Sequence, residues 1–92
     1  MTDQEKKWLE YAYKCGRTDA QRGTSSEHAK MIHELSEPME RYEKETGRTA
    51  DILWIEYFYQ SGVSDFQTGT GTFADHINYW FANCPKEGNK NE

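Results

Sequence analysis

Apolar side chains recur along the first 24 residues at helical spacing. At 100° per residue, Trp8, Leu9, Ala12, Tyr13, Cys15, Gly16, Ala20 and Gly23 share one arc, while Glu10, Tyr11, Lys14, Arg17, Thr18, Gln21, Arg22 and Thr24 take the other. Thr2 followed by Glu5 is a capping box for such a helix, and Gly23 is a natural stop. The pattern then returns. Residues 54–70 match residues 8–24 at an offset of 46, with nine of seventeen positions identical. Trp54, Ile55, Phe58, Tyr59, Ser61, Gly62, Phe66 and Gly69 form the second apolar arc. Thr49 and Asp51 cap this copy less fully, and Gly69 stops it.

A further helix is predicted after each copy. Ser26 caps one carrying Ala29, Met31, Ile32 and Leu35. Thr72, with Asp75 three residues on, opens the other, whose apolar stripe is Phe73, Ile77, Trp80 and Phe81. Ser36-Glu37-Pro38 breaks the first of these, and Met39 to Thr46 restarts as a short charged helix ended by Gly47. Cys84-Pro85 ends the last helix, and 86–92 is a polar tail expected to be flexible. The expected fold is all-α: a small single-domain helical bundle, 1–92, of two duplicated helix-hairpin halves with pseudo-two-fold symmetry.

Asp19 and Asp65 change this picture, because each falls within an apolar arc, where a carboxylate is costly unless hydrogen-bonded. Trp and Asp are eleven residues apart in each copy, roughly 16 Å along a helix, so they cannot meet within one copy. Antiparallel packing of the two repeat helices brings the Trp end of one to the Asp end of the other. Asp65 then accepts from the Trp8 indole and Asp19 from that of Trp54, while Gly16 and Gly62 permit close approach. The functional alternative makes Asp19 and Asp65, with Trp8, Tyr13, Trp54 and Tyr59, the lining of a polar-aromatic pocket for a nucleotide base or a basic side chain. Thr18-Asp19-Ala20-Gln21 and Ser64-Asp65-Phe66-Gln67 also resemble capping boxes, but the apolar arc runs through the glycines without changing phase, which favours continuous helices.

Composition shifts the emphasis to rings. Leu, Ile and Val number eight, but Trp, Tyr and Phe number thirteen, and each ring buries about 150–250 Å². A core built from rings is the expectation. Net charge is −5, and no Lys or Arg occurs between Arg48 and Lys86, a span holding nine of the thirteen rings. Cation depletion with aromatic enrichment marks a core or a protein interface. The acidic balance argues against direct nucleic-acid binding, which needs a basic stripe. No apolar run approaches the ~18–20 residues of a membrane span, Met1 to Lys7 has no secretory character, and two distant cysteines suggest a reduced, cytoplasmic chain.

Chemistry is sparse. His28, His33 and His76 have no zinc-like spacing, and Gly69-Thr70-Gly71-Thr72 lacks the Gly-Lys-Ser/Thr ending of a phosphate loop. No nucleophile signature is present, so neither catalysis nor a cofactor is expected. The first functional expectation is a non-enzymatic protein-binding module, an inhibitor or adaptor. It docks on a basic partner surface through Tyr11, Tyr57, Tyr79 and Trp80 as anchors, steered by Glu10, Glu56 and Asp75. In general character the chain is similar to small accessory proteins of phages, many of which bind and block a host protein, which implies the host cytoplasm. The alternatives are a homo-oligomeric binder that sequesters a nucleotide and a purely structural dimer.

Overall fold

Four helices make up the computed structural model: α1 (Asp3–Arg22), α2 (Ser26–Thr46), α3 (Ile52–Thr68) and α4 (Phe73–Asn83). It describes residues 2–48 and 52–83, the last four by backbone alone. The all-α expectation is met, and no strand occurs among the described residues. The expected cap at Thr49 and Asp51, the Trp80 and Phe81 side chains, Cys84-Pro85 and the 86–92 tail lie outside the described residues.

The helix ends follow the local sequence closely. Thr2 Oγ1 accepts from the Glu5 amide and Glu5 Oε1 from the Thr2 amide, closing the capping box of α1. Thr72 and Asp75 close the same box for α4. Gly23 and Gly69 stop α1 and α3 at φ of 70° and 75°, their amides donating to the carbonyls of Asp19 and Asp65.

α1 and α3 form the centre. Along α1 the order Tyr13, Gly16, Asp19 faces Asp65, Tyr59–Val63 and Tyr59, so the helices run antiparallel. They cross with backbones in contact. A Cβ on Gly16 would stand 2.0 Å from the Tyr59 carbonyl oxygen, and one on Gly62 would stand 2.1 Å from that of Tyr13. Neither helix breaks at its glycine, as the uninterrupted apolar arcs imply. Around the crossing, Leu9, Ala12, Ile55 and Phe58 are buried, and Met31, Leu35 and Met39 of α2 close over them. Ile77 and the half-buried Phe73 bring α4 onto Phe58 and Tyr13. Phe66, expected inside, is 38% exposed, because it lies in the last turn of α3, beyond the crossing.

The expected break at Pro38 does not occur: α2 continues through it to Thr46. A proline inside a helix costs about 3 kcal/mol or more. Against that stands the stripe Met31, Leu35 and Met39, which stays on the core only if helical phase holds across residue 38. Pro38 itself is half-buried in a small groove with Trp8 and Tyr42, whose rings meet edge to face at 5.1 Å.

A second tie joins the helix ends. Glu5 is only 5% exposed and falls mid-arc with Leu9 and Ala12. Arg48 grips it through Nε and Nη2 at 2.7 and 2.9 Å, and the Tyr42 hydroxyl donates to it at 3.0 Å. Thr2 Oγ1 bonds that same hydroxyl at 2.6 Å. The start of α1, the end of α2 and the segment after it thus converge on one carboxylate. Burial pushes the Glu5 carboxyl up, but Arg48, the Thr2 amide and Tyr42 outweigh it and bring it from an ordinary 4.5 down to about 2.

Two outcomes follow. Gly16→Ala or Gly62→Ala forces the crossing apart and destabilises by more than about 3 kcal/mol. Gly23→Ala, strained in φ but facing open space, costs about 1 kcal/mol; urea midpoints of the three variants distinguish the cases. Because Glu5 is depressed in the folded state, its contribution is complete above about pH 4.5 and disappears as pH falls toward 2. Glu5→Gln therefore lowers stability at pH 7 by about 2 kcal/mol and weakens the acid dependence in that window, as thermal melts from pH 2 to 7 will record.

Candidate functional site

The repeated inward polar residues meet across the crossing, but not in the pairs expected. The Tyr59 hydroxyl donates to Asp19 Oδ2 at 2.7 Å, and the Tyr13 hydroxyl donates to Asp65 Oδ2 at 2.7 Å. Asp19 takes its donors from Tyr59 and backbone, not from Trp54, and Asp65 from Tyr13 and His76, not from Trp8. Reach explains the correction. The tyrosines sit close to the glycine crossing, where the helices touch, whereas the tryptophans lie five residues further toward the helix starts, where Trp8 packs on Tyr42.

The two acids then diverge. Asp19 is 1% exposed and caps α2 from outside that helix. Its Oδ1 accepts from the Glu27 amide at 3.0 Å and its Oδ2 from the His28 amide at 2.9 Å. The expected cap by Ser26 is replaced in this way: Ser25 holds the N-cap position without a side-chain bond, and the carboxylate of the preceding helix satisfies the free amides. Burial raises the Asp19 carboxyl, but Tyr59 and the two amides outweigh this and hold it below the ordinary carboxylate range. Burial and the bond to Asp19 push Tyr59 well up, so it remains a protonated donor. Tyr13 is raised for the same reasons beside Asp65.

Asp65 accepts instead from side chains. His76 Nε2 of α4 lies 2.8 Å from its Oδ2, and Gly71 passes so close that a Cβ would meet the carboxylate at 2.6–2.7 Å. Gly69–Thr72 is thus a helix-to-helix turn wrapped over Asp65. Arg17 lies over the Tyr13 ring, 5.8 Å from its centroid. On the other side, the His28 ring meets Tyr59 edge-on at 4.6 Å and its Nε2 pairs with Glu56 Oε2 at 2.5 Å.

Several residues expected to face a partner are committed internally. Tyr11 is half-buried, packs on the core and donates to Glu34 of α2 at 2.5 Å. Glu56 is held by His28, Glu10 forms a loose surface pair with Lys14 at 3.8 Å, and Asp75 caps α4. Tyr57 and Tyr79 are exposed, at 39% and 57%, and the Trp80 side chain lies outside the described residues. Trp8 and Trp54 are partly buried against the core.

Of the residues expected to line a polar-aromatic pocket, Asp19 and Tyr59 line a cleft. A cavity of about 470 Å³ opens between the end of α1, the turn at residues 23–25 and the flank of α3, with Asp19 and Tyr59 at its base and Gln60, Val63 and Gln67 along one wall. Trp8, Tyr13, Trp54 and Asp65, expected in the same lining, are not part of it, and Gln60, Val63 and Gln67 were not foreseen there. His28 and His76 were missed as structural partners because neither has a counterpart at the 46-residue offset. No group of three His, Cys, Asp or Glu residues with metal-ligating geometry occurs among the described residues. Nor, among them, is any helix long and apolar enough to cross a membrane. Comparisons with protein-family models, curated proteins and solved structures return no match for this chain.

Tyr59→Phe and Tyr13→Phe each cost about 1.5–3 kcal/mol, the worth of a hydrogen bond to a charged group. Asp19→Ala costs more, because α2 loses its cap as well. Hydrogen exchange separates the two effects: the Glu27 and His28 amides lose protection in Asp19→Ala and keep it in Tyr59→Phe and Trp54→Phe.

Proposed function

We propose that the chain is a non-enzymatic protein-binding module, an inhibitor or adaptor, that docks through α3 and α4 on a partner with a basic surface. The observation that carries this reading is where the exposed apolar side chains lie. Ile52, Leu53, Tyr57, Phe66 and Tyr79 are the large exposed apolar residues among those described, and all belong to α3 or α4. Leu53 is 68% exposed. They fall in the span between Arg48 and Lys86 that has no Lys or Arg, where Asp51, Glu56, Asp65 and Asp75 supply the only charges before Lys86. The acidic side chains that α3 and α4 themselves carry, with no Lys or Arg among them, suit a partner surface that carries bases.

The same reading treats the chain as two duplicated helix hairpins related by an approximate two-fold. The matched sequences 8–24 and 54–70, the reciprocal Tyr–Asp bonds and the reciprocal glycine contacts support it. Duplication lets one half specialise: the buried Ala12 of the first copy corresponds to the buried Phe58 of the second, and Ala20 to the exposed Phe66.

Leu53→Lys combined with Tyr79→Lys tests the docking face. Captured from cell lysate by the wild-type chain, a partner should be lost with the double variant at unchanged helicity, and its retention should fall as salt rises. A partner held equally by both chains places docking elsewhere. A chain that is dimeric in gel filtration and captures nothing supports the structural-dimer alternative.

A further inference from the structure

The geometry points to the cleft beside Asp19 and Tyr59 as a receptor for a guanidinium group, the arginine side chain of a protein partner. This inference rests on the protein-binding reading and specifies what the partner presents.

Charge selects the class of ligand. Asp19 is the only charged residue among those lining the cleft, and no Lys or Arg lines it. α1 ends there, bringing about −0.5 of a charge from its dipole, while the start of α2 brings about +0.5. With Asp19 ionised, the sum is about −1. On the rim Arg22 and Glu27 pair at 3.7 Å and cancel. Such a site repels phosphate, which weighs against the nucleotide alternative, and attracts a cation.

Hydrogen bonding then narrows the cation. The amides of Gly23 and Thr24 both donate to the Asp19 carbonyl, so the carbonyl of Ala20, which lines the cleft, has no backbone donor among the described residues. Gln60 and Gln67 add amide oxygens, and Ser25 a hydroxyl, from the walls. These acceptors are neutral and spread around an open space, which suits five donors on one planar group better than the compact, strongly hydrated ammonium of lysine. Asp19 acts through its field, since its oxygens already accept from Tyr59, Glu27 and His28. The Tyr59 ring at the base offers an aromatic surface for the guanidinium plane.

The test uses the isolated chain, so it succeeds or fails whether or not a protein partner is captured. Four probes are titrated while the backbone amides of residues 23–25 and the side-chain amides of Gln60 and Gln67 are followed by NMR. The probes are N-acetyl-arginine methylamide, its lysine counterpart, its citrulline counterpart (the same shape without charge) and adenosine monophosphate. The arginine probe should saturate these signals in the ~1–10 mM range, as a single side chain allows. The lysine probe should bind several-fold more weakly, and citrulline and the nucleotide should give no saturable shift. Gln67→Lys and Gln60→Lys, both at exposed positions, should each weaken the arginine probe at least tenfold while leaving the remaining spectrum in place. Equal response to arginine and citrulline, saturation by the nucleotide, no saturable shift with arginine, or indifference to both lysine substitutions overturns the assignment.

Discussion

Everything in this fold depends on the contact between α1 and α3 at Gly16 and Gly62. There each helix presses its missing side chain against the other's backbone carbonyl, at a distance no Cβ can share. Close approach exposes two problems that the rest of the structure answers. Helices this near leave little room for large side chains at the contact, so the rings are displaced to either side of it. It also brings Tyr13 and Tyr59 within reach of Asp65 and Asp19, turning two costly buried carboxylates into cross-ties between the helices.

The cross-ties differ in what else they hold, and that difference organises the periphery. Asp19 reaches onward to the backbone amides that open α2, so the second helix starts where the first one's carboxylate lies. Asp65 reaches a side chain, His76, and its turn wraps over it through Gly71. α2 is further tied through Tyr11–Glu34 and His28–Glu56, and its far end through Tyr42 to the Glu5–Arg48 pair. α4 docks through Ile77, Phe73 and the His76–Asp65 contact. Among the described residues, the large exposed apolar side chains all belong to α3 and α4.

Much of this was legible in the chain. Helical periodicity located α1 and α3 as continuous helices, the Thr2–Glu5 and Thr72–Asp75 boxes set the starts of α1 and α4, and Gly23 and Gly69 set the stops of α1 and α3, because each depends on residues within a few positions. The inward placement of Asp19 and Asp65 was legible too, as was their need for a donor across the crossing. Which donor was not. Tryptophan and tyrosine both fit the inward arc, and only the closeness of the helices at the glycines gives the nearer residue, tyrosine, the bond. Glu5 adds to this: in the sequence it reads only as the capping-box partner of Thr2, and its burial beside Arg48, 43 residues away, shows only in the fold.

What the sequence determined by itself is therefore what local spacing controls: helical class, most helix ends, the inward arcs and the uneven distribution of rings and cations. Tertiary structure alone decided the partners. It carried α2 through Pro38, because the Met31–Leu35–Met39 stripe holds its phase on the core. It turned Tyr11 and Glu56 inward to Glu34 and His28, and it opened the cleft where α1 stops and α2 begins. The physical reason is common to all of these. Periodicity states which way a side chain points, but a bond or a cavity depends on the distance between elements, and the glycine crossing sets that distance.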